Sequence, residues 1–92
     1  MGKFKNHLTK SMFDGENVKG LPFDLARRAV IKLTMVESAI DISELAIPPS
    51  NHLEKLKGDR LGQWSIRLND KYRICFEWFE GRARNMEFVD YH

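Results

Sequence analysis

The chain has 92 residues, 42% of them hydrophobic, with ten aromatics (six Phe, two Trp, two Tyr), enough for one core and one domain, 1–92, and too much apolar material for general disorder. Fifteen Lys/Arg against thirteen Asp/Glu leave a net charge of +2, and residues 52–92 hold eight and seven of these, which excludes a basic arm. A single cysteine, Cys75, excludes an internal disulfide and zinc-type cysteine spacing, and no apolar run approaches the roughly 18 residues of a membrane span.

In chain order, the first segment places Phe4, Leu8 and Met12 four apart, suiting a short amphipathic helix over residues 3–13. Lys3-Phe4-Lys5 equally suits a first strand, and both readings stay open. The opening residues lack the apolar stretch of a signal peptide, so a cytoplasmic location is expected. Asp14-Gly15-Glu16-Asn17 is turn chemistry. Pro22 sits where the first turn of a helix tolerates proline. Beyond it Leu25, Ala29, Leu33, Val36 and Ile40 form the apolar stripe of a helix lying on a sheet. Arg27, Arg28, Lys32 and Glu37 on its other face are read as solvated.

Asp41 and Ser43 suit a cap for a short turn over residues 42–45. Ile47-Pro48-Pro49-Ser50-Asn51 ends any helix, since proline lacks the N–H and restricts its predecessor. The period then becomes two. Trp64, Ile66 and Leu68 alternate, as do Tyr72, Ile74, Phe76 and Trp78, and then Arg84, Met86 and Phe88. Matching apolar faces pairs Leu68 with Tyr72, Ile66 with Ile74 and Trp64 with Phe76 around Asn69-Asp70-Lys71. The same rule pairs Trp78 with Arg84, Phe76 with Met86 and Ile74 with Phe88 around Glu80-Gly81-Arg82. The expected fold is α+β, with N-terminal helices packed on one face of a small, mainly antiparallel sheet.

The opposite face then carries Ser65, Arg67, Asn69, Arg73, Cys75, Glu77 and Phe79. Arg67 lies across from Arg73, and like charges so placed are unfavourable unless something anionic answers them. Two readings stay open: both cations reach solvent or meet Glu77 and Glu87, or they receive phosphate, which suits the guanidinium fork. Lys55 and Lys57 alternate just upstream and extend the same surface. At the end of the chain Asp90, Tyr91 and His92 put an acid, a phenol and an imidazole beside that surface. Histidine exchanges protons near neutral pH, as RNA cleavage requires at the 2′-hydroxyl and at the leaving 5′-oxygen. The alternative is an exposed terminal histidine. His52 is close enough in sequence to approach the site, whereas His7 has no partner in view. The three histidines are too scattered for a metal motif, and no metal or cofactor is expected.

The segments Pro48-Pro49-Ser50-Asn51, Leu56-Lys57-Gly58-Asp59-Arg60, Trp64-Ser65-Ile66-Arg67, Tyr72-Arg73-Ile74 and Asp90-Tyr91-His92, in this order and spacing, closely resemble the HigB subfamily (plasmid-maintenance killer proteins) of the RelE/ParE toxin superfamily. The match is strong over residues 47–92 and weaker before them. The resemblance implies a compact RelE-like fold and the toxin role in a type II toxin-antitoxin system. It implies cleavage of mRNA in the ribosomal A site, a HigA-like helix-turn-helix antitoxin as partner, and operator DNA bound only through the antitoxin complex. Family functional positions carry over to Lys57, Arg73, Asp90, Tyr91 and His92, with Lys55, Arg60 and Arg67 as RNA contacts. Some members have a catalytic histidine where this chain has Glu54, so Glu54 and His52 are the alternatives for the base. The rival expectations are a non-catalytic RNA- or ribosome-binding module and a protein-interaction subunit using the same face.

Overall fold

The computed structural model describes residues 2–90. Helix α1 is His7–Phe13, started by Asn6, whose side-chain oxygen accepts from the Thr9 backbone N–H at 2.9 Å. Each reading of the N-terminus holds only in part, the helix being shorter than residues 3–13 and the strand reduced to one isolated bridge. Phe4 forms a parallel bridge with Met86, with Lys5 N–H donating to the Met86 carbonyl at 2.8 Å, and the helix begins three residues later.

Helix α2 is Phe23–Ser38, entered through Pro22. Ala29, Leu33 and Val36 on its stripe are fully buried, each large aliphatic contributing about 1.5–3 kcal/mol. The expected last member of that stripe, Ile40, is 72% exposed, and Ala39 is buried instead. The helix stops at Ser38 and Ala39 is extended, so the 3.6-residue phase no longer applies beyond it. Asp41 caps a 3₁₀ turn, Ile42–Ala46, accepting from the Ser43 N–H at 2.9 Å. The proline-rich run ends α-helix as expected, yet Pro49–Asn51 forms one 3₁₀ turn with Pro49 in its opening positions, where the missing N–H is no loss.

Strands β1 (Glu54–Lys55), β2 (Gln63–Arg67), β3 (Tyr72–Phe79) and β4 (Arg82–Asp90) form one antiparallel sheet in the order β1-β2-β3-β4. A 3₁₀ turn, Gly58–Arg60, joins the first two. The β2–β3 register is the expected one: Trp64 faces Phe76, Ile66 faces Ile74, and the Leu68 N–H donates to the Tyr72 carbonyl at 2.9 Å.

The β3–β4 register is as expected only in part. Ile74 faces Phe88, but Trp78 faces Ala83 rather than Arg84, and Arg84 faces Glu77. Two features cause the correction. The turn is the two-residue Glu80-Gly81, both with positive φ (52° and 77°), rather than three residues, and Phe79 faces Arg82 across it. Asn85, at φ 52°, then absorbs one extra residue in a bulge that restores the alternation before Glu87. Leu33, Val36, Ile66, Ile74, Phe76, Ala83 and Met86 form the core between α2 and one sheet face. Among the described residues no helix is long and apolar enough to cross a membrane.

Candidate RNA-processing face

The other face of the sheet carries one cross-strand row through all four strands: Glu54, Ser65, Cys75 and Glu87 are successive Cα partners. The next row is Arg67, Arg73 and Val89. Ser65 and Cys75 are fully buried, and Leu56 nearly so, yet none of the three belongs to the main core cluster. The polar face therefore has a closed floor of its own. Burial pushes the Cys75 thiol up, with Arg60 and Arg73 opposing and Glu87 and Glu54 adding to the rise. Cys75 is a packed strand residue, as its place in the alternation implied.

Arg73 is the best-anchored cation of this face. Its side chain is 11% exposed. Nε donates to the Ser65 hydroxyl at 2.8 Å, Nη2 donates to the His52 carbonyl at 2.8 Å, and the Glu54 carboxylate stands 3.6 Å from Nη2. Local backbone geometry makes this possible: His52 closes the Pro49–Asn51 turn in the left-handed region at φ 46°, which swings its carbonyl onto the guanidinium. Arg60 comes in from the 3₁₀ turn before β2 and donates to Gln63 at 2.9 Å and to Glu87 at 3.1 Å. Both guanidiniums are thus held by several groups on different strands, so their positions are set before any ligand arrives.

The remaining expected site residues divide. Glu54 reaches Arg73, whereas the His52 ring is exposed and it is the His52 backbone that touches the site. Lys57 is exposed at the start of the Gly58–Arg60 turn. Lys55 is not brought to this face: it is the Cα partner of Trp64, and its ammonium lies 5.7 Å from the Trp64 ring centroid. Arg67 shares a row with Arg73 but is ion-paired with Asp70 at the sheet end. Asp90 is the Cα partner of Tyr72, which sets it at the rim on the side of the stacked Tyr72 and Phe88 rings, with Lys71 4.0 Å from its carboxylate. Tyr91 and His92 lie outside the described residues.

Sequence reasoning missed two supporting groups, Ser65 as a partner of Arg73 and Gln63 as a partner of Arg60. Both signals were present, since Ser65 alternates with Trp64 and Ile66 and a small polar residue at such a position belongs to the outward face. Among the described residues no three His, Cys, Asp or Glu side chains converge as metal ligands would.

Comparison with known proteins places these features in a family. The sequence model described as the RelE-like toxin of the type II toxin-antitoxin system HigB matches residues 2–92. Toxin HigB-1 of Vibrio cholerae is 33% identical over 91 residues, covering 98% of this chain and 95% of that protein. Endoribonuclease HigB of Proteus vulgaris is 34% identical over 89 residues, covering 97% and 96%. An uncharacterized protein of Haemophilus influenzae is 31% identical over 78 residues, covering 85% and 76%. With its α+β architecture and a match along nearly its whole length, the chain belongs to the HigB family of RelE-like toxins of type II toxin-antitoxin systems.

Proposed function

We propose that this toxin is a ribosome-dependent endoribonuclease that cleaves mRNA in the A site and thereby arrests translation and growth. The observation that carries the reading is the anchored Arg73, in a row with Arg67, on a face next to the strand that ends in Asp90. The name of the Proteus vulgaris relative, an endoribonuclease, supports the activity.

The proposed reaction is metal-independent transesterification. A base removes the 2′-hydroxyl proton and the 2′-oxygen attacks the adjacent phosphorus. The bond from phosphorus to the 5′-oxygen breaks, and that oxygen takes a proton. The products are a 2′,3′-cyclic phosphate and a 5′-hydroxyl. Arg73 and Lys57 stabilise the extra negative charge on the pentavalent phosphorus, the largest contribution that fixed donors offer. His92 transfers the proton to the leaving oxygen, Asp90 orients its ring, and Tyr91 stacks on a base or hydrogen-bonds phosphate. Glu54 and His52 are the candidates for the base, and Glu54 is the one whose side chain reaches Arg73. Arg60 and Arg67 contact the RNA backbone. Lys55 lies on the Trp64 side and contacts RNA only from the sheet edge. Few strong acid–base groups are assembled, so positioning of the mRNA by the ribosome supplies the remainder.

Membership of a type II family implies an antitoxin, and we assign it to the HigA-like helix-turn-helix class, which carries the complex to operator DNA. The test is mRNA incubated with toxin and ribosomes, with the new ends analysed. A 2′,3′-cyclic phosphate and a 5′-hydroxyl are expected, in the presence of EDTA at concentrations that leave ribosomes intact. A 3′-hydroxyl end would overturn the mechanism. Cleavage of equal rate and pattern without ribosomes would overturn the dependence on them. His92→Ala is expected to bind ribosomes but to cleave about 10²–10⁴-fold more slowly; unaltered translation arrest without cleavage would favour a binding module instead.

A further inference from the structure

Of Arg28 and Lys32, one turn apart on α2, Arg28 is exposed as the helix pattern implied, whereas Lys32 is half-buried. Arg28 donates to the Leu68 carbonyl at 3.4 Å, and Lys32 donates to the side-chain oxygen of Asn51, a fully buried residue. Together with Ser50, Arg67 and Asp70 they line an open recess of about 580 Å³ at the end of β2. Its lining holds three cations and one carboxylate, and that carboxylate, Asp70, is 94% exposed and pairs with Arg67. Lys32 is partly withdrawn from water: burial pushes its ammonium below the ordinary value, and Arg28 pushes it further. Its hydrogen-bond partner Asn51 is neutral. Three cations, one of them the half-buried ammonium, with a single exposed carboxylate among them, favour an oxyanion that brings the missing charge.

We propose that this recess is a second RNA-binding site, taking a backbone phosphodiester between Arg28, Lys32 and Arg67, away from the cleavage centre. The assignment to RNA rests on reading the Arg73 face as the RNA-handling surface. Arg67 is the Cα partner of Arg73 and also lines the recess, so one basic path runs from the candidate centre around the sheet end to α2. A strand with one charge per nucleotide can follow that path, whereas a compact acidic side chain can occupy only one end of it. Ile31 in the same lining is exposed and offers apolar surface to a ribose or base. The site therefore sets where along its length an RNA is held. Two sources supply the same chemistry, the substrate strand flanking the cleaved bond and the ribosomal RNA beside it.

Arg28→Gln and Lys32→Met test this, each compared with wild type for binding of a fluorescein-labelled oligouridylate and of vacant ribosomes over a range of salt. Each substitution is expected to weaken binding several-fold and to reduce the slope of log affinity against log salt by about 0.7. Loss on the oligouridylate assigns the site to the substrate strand. Loss on ribosomes with unchanged oligouridylate binding assigns it to ribosomal RNA. Lys32→Met also removes the partner of Asn51, so a thermal melt accompanies it, and Arg28→Gln decides the matter if that variant fails to fold. Unchanged affinities and slopes for both probes overturn the site, as does weakened antitoxin binding with RNA binding intact. Wild-type cleavage products are scored in parallel on ribosome-bound mRNA. Their absence counts against the proposed activity whatever the slopes are, and their presence with unchanged slopes counts against the recess alone.

Discussion

Arg73 has a mostly covered side chain and hydrogen-bonds to two groups that are not its strand neighbours in sequence, Ser65 and the His52 backbone. Only a forked side chain makes both bonds at once, so Arg73→Lys keeps the charge and loses the geometry. Cleavage is expected to fall about 10²–10³-fold, the usual effect of losing one well-placed transition-state donor. Stability is expected to fall by about 1–3 kcal/mol, because the buried Ser65 hydroxyl loses its partner. Primer extension on ribosome-bound mRNA and urea unfolding read the two effects separately, and wild-type cleavage in a folded Arg73→Lys protein would remove Arg73 from the centre. Cys75 makes the converse case on the same face. Burial raises its thiol, so the native protein is expected to react slowly with a thiol reagent at neutral pH and quickly in denaturant. Fast native reaction would mean that the floor beneath Arg73 is open. The juxtaposition of Arg67 and Arg73 was legible from alternation alone. The His52 contact was not, because it needs a left-handed backbone at a non-glycine residue, which no side-chain period encodes.

At the scale of elements, legibility follows regularity. The β2–β3 hairpin has strict alternation on both strands and a loop whose Asn69 side chain accepts from the Lys71 and Tyr72 N–H groups, so apolar matching fixes its register. The β3–β4 hairpin breaks the rule at Asn85, where the side chain also accounts for the break, donating to Glu77 at 3.0 Å. That one extra residue carries Arg84 to the outer face, where its guanidinium stands 4.9 Å from the Phe79 ring centroid, and lets the small Ala83 face inward. Arg84, Met86 and Phe88 make a continuous alternation only if arginine is taken as a core-facing residue. The bulge is expected to tolerate Asn85→Gly in backbone terms. Asn85→Val, branched at a positive φ and without the Glu77 bond, is expected to destabilise by about 1–3 kcal/mol. Urea unfolding should show a lower midpoint with an unchanged slope for Asn85→Val. Equal midpoints for Val and wild type would mean that another residue absorbs the bulge.

For the whole molecule, the strand that ends in Asp90 is held on both edges, by β3 along one and by the N-terminal segment along the other. Met86 N–H donates to the Lys3 carbonyl at 2.7 Å, which covers an edge that would otherwise be open. Thr9 completes the attachment from α1: its buried hydroxyl donates to the Asn6 side chain at 2.7 Å and accepts from the Phe88 N–H at 3.1 Å. Phe88 lies two residues before Asp90, so the first turn of the first helix helps to fix the exit of the last strand. Thr9→Val keeps the shape and removes both bonds, leaving the Phe88 N–H without that acceptor. The melting temperature is expected to drop. If positioning of the strand end matters to the chemistry, cleavage must also drop by more than the unfolded fraction explains, while Thr9→Ser, which keeps the hydroxyl, restores most of both. The decisive measurement is cleavage at a temperature where all three proteins are fully folded by circular dichroism. Equal rates there would reduce Thr9 to a stabilising contact, whereas a deficit confined to Thr9→Val would tie catalysis at one end of the chain to the packing of the other.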